Sequence, residues 1–165
     1  MWYAVYTRAR HEKKVFERMQ EANIEAYLPI VKKLRQWKDR KKWIEVPLFN
    51  NYIFVNIESK QFIQVLQIQG VSRFVSSAQK PIQIPDWQID NLKKSLEISE
   101  EPETAEYFVS GEFVEVTDGP FRGVKGYVYD RKKKNRIALS IEGIYQSVII
   151  EVHPNWLKKI SIPTE

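Results

Sequence analysis

From Trp2 to Thr7 the side chains alternate in strand fashion, with Trp2, Ala4 and Tyr6 on one face and Tyr3, Val5 and Thr7 on the other. Residues 9–22 switch to helical spacing, with Val15, Met19 and Ala22 along one side. Residues 26–47 predict two long strands around the polar turn Lys38-Asp39-Arg40-Lys41, and Tyr52 to Ile57 is a further strand of β-prone residues. A short helix around Phe62, Val65 and Leu66 is expected to end near Gly70, followed by a strand from Val71 to Val75. Asp86 is the expected N-cap of a last helix carrying Ile89, Leu92 and Leu96. Hairpin-connected strands mixed with helices predict an α+β domain built on an antiparallel sheet.

The pattern changes after Glu112. Five short β-prone segments follow, at 113–117, 124–130, 136–141, 145–150 and 156–160. Asp118-Gly119-Pro120, Lys134-Asn135, Glu142-Gly143 and His153-Pro154-Asn155 separate them as turn signals. Five short strands in so small a span predict a β-barrel, in which Phe113, Tyr127 and Trp156 supply much of a thin core. The run Arg131-Lys132-Lys133-Lys134 reads as a charged hairpin turn. Between the two patterns, residues 96–110 carry five Glu, no base and a helix-stopping Pro102, which predicts a flexible acidic linker. The expected organisation is therefore residues 1–95, a linker at 96–110, and a barrel at 111–165.

Composition narrows the function more than the fold. An apolar fraction of 43% and an aromatic fraction of 13% suffice for packed cores. The absence of cysteine excludes disulfides and thiolate metal sites. Met1-Trp2-Tyr3-Ala4 runs straight into a strand without the basic and apolar regions of a leader, and no run is long enough to span a bilayer. A cytoplasmic monomer without membrane contact is expected. His11 and His153 lie in different domains, no Gly-rich phosphate loop follows a strand, and no nucleophile elbow is visible. No catalytic residue, cofactor or metal is therefore expected. The net charge of +5 and a pI near 9.3 suggest a polyanionic partner.

One motif is specific. Gly111 to Val128 contains Val114 and Val116 facing a barrel interior and Asp118-Gly119-Pro120 bending the chain. Gly123 and Gly126 stand where unusual backbone or close approach is needed. This stretch resembles the KOW motif. Trp2-Tyr3, the run Pro47-Leu48-Phe49-Asn50-Asn51-Tyr52-Ile53-Phe54-Val55, and Gly70-Val71-Ser72-Arg73-Phe74-Val75 resemble the N-terminal domain of the NusG family in the right order. Family members commonly have Phe-Pro-Gly-Tyr where this chain has Phe49-Asn50-Asn51-Tyr52. The flanking residues look closer to the specialised RfaH and UpxY-like members. The resemblance implies an antitermination or elongation factor, operon-specific rather than general, that holds the clamp helices of the largest RNA polymerase subunit.

Candidate surfaces can be placed on this frame. If Trp2, Ala4 and Tyr6 share a sheet face, Tyr6 can join Tyr52 and Phe54 as an apolar docking patch, with Ile53, Val55 and Ile57 turned to the helices. Tyr6, Tyr52 and Phe54 are the expected polymerase contacts. Arg10, Lys14 and Arg18 recur at i, i+4 and i+8 beside Arg8 and His11, repelling one another unless an anion or Glu12, Glu17 and Glu21 intervene. The resemblance implies non-template or upstream DNA there; a solvated helix face is the alternative. Lys32, Lys33, Arg35, Lys38, Arg40, Lys41 and Lys42, interleaved with Trp37 and Trp43, could grip nucleic acid or pack across the hairpin. Gln61-Phe62-Ile63 stands where RfaH has a His-Thr-Thr contact to the other large subunit, so the chain departs from the RfaH pattern there. Phe121 lies where NusG-like barrels meet a small-subunit ribosomal protein, making the ribosome a second expected partner, though it could simply plug the barrel. The rivals are a general NusG that engages Rho and a KOW-type RNA-binding or ribosome-associated protein. RfaH has a C-terminal domain that can turn helical; here the β-branched and aromatic content of 113–150 favours the barrel.

Overall fold

The computed structural model describes residues 1–99, 101–130, 132 and 135–164. It divides into two compact units, residues 1–84 and 85–165. The first is a mixed unit in which β1 (Trp2–Thr7) is central. Its antiparallel neighbours are β5 (Tyr52–Asn56) and β6 (Val71–Phe74); β2 (Glu25–Tyr27) completes the order β2-β5-β1-β6, and β9 (Gln83–Ile84) also pairs β1. The helices α1 (Glu12–Glu21) and α2 (Phe62–Leu66) bring Val15, Met19 and Val65 onto Tyr3, Val5, Ile53, Val55 and Ile57. The alternation in β1 and β5 thus separates the faces as expected. On the other face Trp2, Ala4, Phe49, Phe54 and Ile84 are also buried.

Two minor pairings complete this unit. A two-stranded hairpin joins β3 (Ile30–Gln36) to β4 (Lys41–Pro47), in the register Leu34↔Trp43 and Arg35↔Lys42. Its turn, Trp37 to Arg40, starts one residue before the expected Lys38. A smaller one pairs β7 (Ser76–Ser77) with β8 (Lys80–Pro81).

The second unit is a six-stranded antiparallel sheet, order β10-β14-β13-β12-β11-β15. The strands are β10 (Glu103–Glu106), β11 (Phe113–Val116), β12 (Lys125–Val128), β13 (Arg136–Ile141), β14 (Gln146–Glu151) and β15 (Leu157–Lys159). The predicted α+β class with antiparallel sheets is therefore what the chain adopts. Gly126 is required because an added Cβ would lie 2.5 Å from the Ala138 carbonyl and 2.8 Å from Ile137, whereas Gly123 is required by its φ of +88°.

The division of the chain departs from the expected boundary at 95. Helix α3 (Asp86–Ile98) belongs to the second unit, and its first turn starts at Asp86, with Pro85 in the cap position. Asp86 thus contributes a favourable charge to the helix N-terminus rather than a cap. Within the expected linker, β10 pairs β14 along Glu103↔Ile149 to Glu106↔Gln146, and Glu103 forms an ion pair with Arg136. An edge strand needs a hydrogen-bonded backbone and little apolar content, so its composition resembled a linker. Glu100 and, in the charged run at 131–134, Arg131, Lys133 and Lys134 lie outside the described residues.

Candidate functional site

The antiparallel register of β1 sets the geometry of one surface. Tyr6 stands opposite Tyr52 on β5 and opposite Arg73 on β6. The Tyr6 and Tyr52 rings lie 4.8 Å apart, the Tyr52 hydroxyl donates to the Tyr6 hydroxyl at 3.1 Å, and the Arg73 guanidinium lies over the Tyr6 ring at 4.5 Å. Burial, reinforced by that hydrogen bond and by Tyr6, pushes the Tyr52 phenol up to about 12 against an opposing pull from Arg73. Both tyrosines are half-buried and Arg73 is exposed. The result is an amphipathic patch with two phenols and a cation, able to offer ring area, hydroxyl groups and charge to a docking partner.

Phe54, expected beside them, is fully buried. Tyr27 stacks on its ring at 6.3 Å and Phe49 meets it edge-on at 6.4 Å, so Phe54 is core and presents no ring to the surface. Arg73 had no signal beyond its place in the Gly70–Val75 segment. Only the β1–β6 pairing, invisible along the chain, brings it to Tyr6.

The basic face of α1 is split by structural duties. Arg8 and Arg10 are exposed in the turn before the helix, where Arg10 has a φ of +61°, and Lys14 is exposed on the helix itself. Arg18 is engaged: its Nη1 donates to the Gln69 carbonyl at 2.6 Å. His11 is half-buried with Nδ1 against the Ala9 carbonyl at 2.9 Å, which requires a proton on that nitrogen. Glu12, expected to relieve the helix charges, is buried and accepts the Asn51 N–H at 2.7 Å. Asn51 itself holds a φ of +68°, a conformation Asn tolerates better than most residues.

The hairpin presents a second cationic surface. Leu34 and Trp43 form an exposed cross-strand pair, and Trp37 is exposed at the tip, its N–H donating to the Arg40 carbonyl at 2.7 Å. By alternation Lys33, Arg35 and Lys42 lie on the face opposite Trp43. Lys13 of α1 donates to the Glu45 carbonyl at 2.8 Å, tying the hairpin base to the helix. Trp37 therefore does not pack across the hairpin core. In the Gln61-Phe62-Ile63 segment, Phe62 packs on Tyr3 and Phe74 while Ile63 is exposed.

In the second unit α3 is held to the barrel by polar contacts with backbone. Asn91 donates to the Lys125 carbonyl at 2.6 Å and accepts the Lys125 N–H at 3.2 Å; Gln88 accepts the Glu142 N–H at 2.8 Å. Trp87 meets Phe113 edge-on at 5.7 Å. Phe121 is half-buried, lining one cavity with Ile98, Pro102 and Val148 and another with Pro120, His153 and Trp156. Among the described residues no group of His, Cys, Asp or Glu is arranged to hold a metal ion, and no helix is long and apolar enough to cross a membrane.

Comparison with known proteins gives a consistent picture. A family described as "Transcription termination factor nusG" matches residues 1–93. The "Transcription termination/antitermination protein NusG" of Rickettsia conorii is 30% identical over 96% of this chain and 89% of its own length. That of Pseudomonas aeruginosa is 26% identical over 96% of this chain and 98% of its own. Among solved structures, Thermotoga maritima NusG matches 97% of both chains at 24% identity with a TM-score of 0.45.

Proposed function

The chain belongs to the NusG family, and from that premise we propose that it binds RNA polymerase through the Tyr6–Tyr52–Arg73 patch and suppresses pausing or termination. Its relatives are transcription termination/antitermination factors, and it is a transcription factor rather than an enzyme. The observation that carries the docking reading is the paired, half-buried tyrosines under one exposed cation. Such a patch suits an amphipathic helix pair, the clamp helices of the largest subunit, whose apolar side chains cover the rings while an acidic one meets Arg73. Phe54, buried against Tyr27 and Phe49, belongs to the core rather than to the docking patch. Holding the clamp closed would favour the elongating conformation, a population shift without chemistry.

The exposed Arg8, Arg10 and Lys14, with the hairpin cations, suit phosphate contact on upstream or non-template DNA in the cytoplasm. Operon specificity requires base contacts in addition, and Trp37 and Trp43 are the exposed rings able to stack on an unpaired base. The barrel, with Phe121 lining two of its cavities, would recruit a second protein, the ribosome being the partner the family resemblance implies.

The test is polymerase binding by the full chain and by a Tyr6→Ala/Tyr52→Ala double variant whose fold is verified by circular dichroism. A loss of roughly tenfold or more, the scale of an interface hot spot, is expected. Undiminished binding by the folded variant would remove the patch from the interface, and no binding by the wild-type chain would remove polymerase as the partner.

A further inference from the structure

The hairpin of β3 and β4 carries two tryptophans, and its register sends them to opposite faces. Leu34 stands opposite Trp43, and Arg35 opposite Lys42. Successive side chains of a strand leave on opposite sides, so Lys33, Arg35 and Lys42 share the face that Trp43 does not. The Trp37 N–H bond to the Arg40 carbonyl continues the ladder one rung into the turn, which puts Trp37 and Arg40 on the cationic side. Trp37 and Trp43 are each 55% exposed.

Charge follows the same division. Of the two carboxylates between residues 30 and 47, Asp39 lies in the turn and Glu45 stands opposite Lys32 on the Trp43 face. The cationic face thus has no carboxylate from either strand, and among the described residues none of Lys33, Arg35 and Lys42 forms an ion pair. Like charges directly opposed across a ladder, as Arg35 and Lys42 are, destabilise it unless an anion lies between them. The other face is nearly balanced, with Lys32 and Lys41 against Glu45. Each face therefore offers one exposed ring beside cations, a stacking platform flanked by phosphate ligands.

A single polynucleotide strand passing along one face of the ribbon meets only the ring on that face. We propose that the hairpin is a wedge between two separated DNA strands at a duplex fork. The phosphates of one strand lie along Lys33, Arg35 and Lys42 with a base on Trp37, and an unpaired base of the other strand stacks on Trp43 beside Leu34. The inference rests on the reading of the hairpin as a nucleic-acid surface and adds the form of DNA it takes. An isolated single strand goes to the more cationic face, which leaves Trp43 for the second strand of a fork.

The experiment is fluorescence anisotropy of the full chain with three labelled DNAs: a duplex with two unpaired arms, one of its strands alone, and a blunt duplex. The fork should bind tightest. Trp43→Ala should lower fork affinity roughly fivefold or more, the scale of one lost base stack, and leave the single strand within about twofold. Trp37→Ala should lower affinity for both, and Trp43→Phe, which keeps a ring, should restore most of the fork binding. Circular dichroism verifies that each variant is folded. A fork bound no more tightly than the single strand would overturn the wedge. So would Trp43→Ala that leaves fork binding intact, or that weakens single-strand binding as much as fork binding, since both rings would then serve one strand. In those cases the chain still binds DNA and the nucleic-acid reading stands; failure to bind any of the three DNAs would overturn both.

Discussion

Glu12 illustrates how single side chains set the candidate surface. It sits in the first turn of α1, where the helix dipole favours a carboxylate, and it accepts the Asn51 N–H at 2.7 Å from a buried position. Asn51 in turn offers its carbonyl to the Thr7 N–H at 2.9 Å, so the turn before Tyr52 is tied to both α1 and β1. Glu12→Ala leaves a partly buried donor without its acceptor and should cost about 1–3 kcal/mol in denaturant unfolding. Glu12→Gln keeps an acceptor oxygen and should cost less; equal losses in the two variants would show that the hydrogen bond is not the source. Tyr52 gives a prediction in pH. Its folded-state value near 12 exceeds the ordinary 10.0, so its contribution is intact below pH 10 and is lost as pH rises through 12. Alkaline titration of tyrosinate absorbance should show a late-ionising group that is missing in Tyr52→Phe, and a trace unchanged by the substitution would assign the late group elsewhere. At this scale the sequence disclosed the residue types and faces, since strand alternation is local. It did not disclose that Phe54 lies under Tyr27 and Phe49, or that Arg73 reaches Tyr6, because both depend on partners from distant strands.

Among the elements, the hairpin of β3 and β4 departs furthest from a packing role. Its outer half exposes Leu34, Trp37 and Trp43 while Val31 at its base is buried. Alternation and the polar turn made it legible in sequence, since a hairpin is a local structure. Trp37→Ala/Trp43→Ala should change folding stability by no more than about 0.5 kcal/mol per site, as is usual for exposed positions. If the rings stack on unpaired bases, the same variant should weaken binding to single-stranded DNA by about 1–3 kcal/mol per base lost from the stack, with little change on duplex DNA. A large stability loss would instead assign the tryptophans to packing. β10 is the contrasting element. Glu103 to Glu106 carries no apolar pattern, and its position is set by β14, with whose backbone it pairs. Composition alone could not reveal it, because the information lies in the partner strand.

For the whole molecule, the decisive question is where the chain divides. The family match ends at residue 93, inside α3, and the expected boundary at 95 falls there too; yet the compact units part between Ile84 and Pro85. Helical periodicity identified α3 but could not identify its partner, since Ile89 and Leu92 would suit any apolar surface. The polar side chains on α3 resolve the choice. Asn91 satisfies both backbone groups of Lys125, Gln88 accepts from Glu142, and Lys94 donates to the Arg122 carbonyl. Buried Gln88 and Asn91 would be costly against a purely apolar face, and here each has a backbone partner. Residues 85–165 should therefore unfold as one cooperative unit, more stable than residues 111–165, which lack both α3 and β10. Adding Asn91→Leu to the longer piece removes two hydrogen bonds while keeping the side chain's branching and heavy-atom count, and should remove about 1–3 kcal/mol of that difference by leaving the Lys125 groups unpaired. Coincident thermal transitions for the two pieces would mean that α3 contributes nothing to the barrel. A lower transition for the shorter piece with no effect of Asn91→Leu would assign the stability to the β10–β14 ladder and the Trp87–Phe113 contact instead.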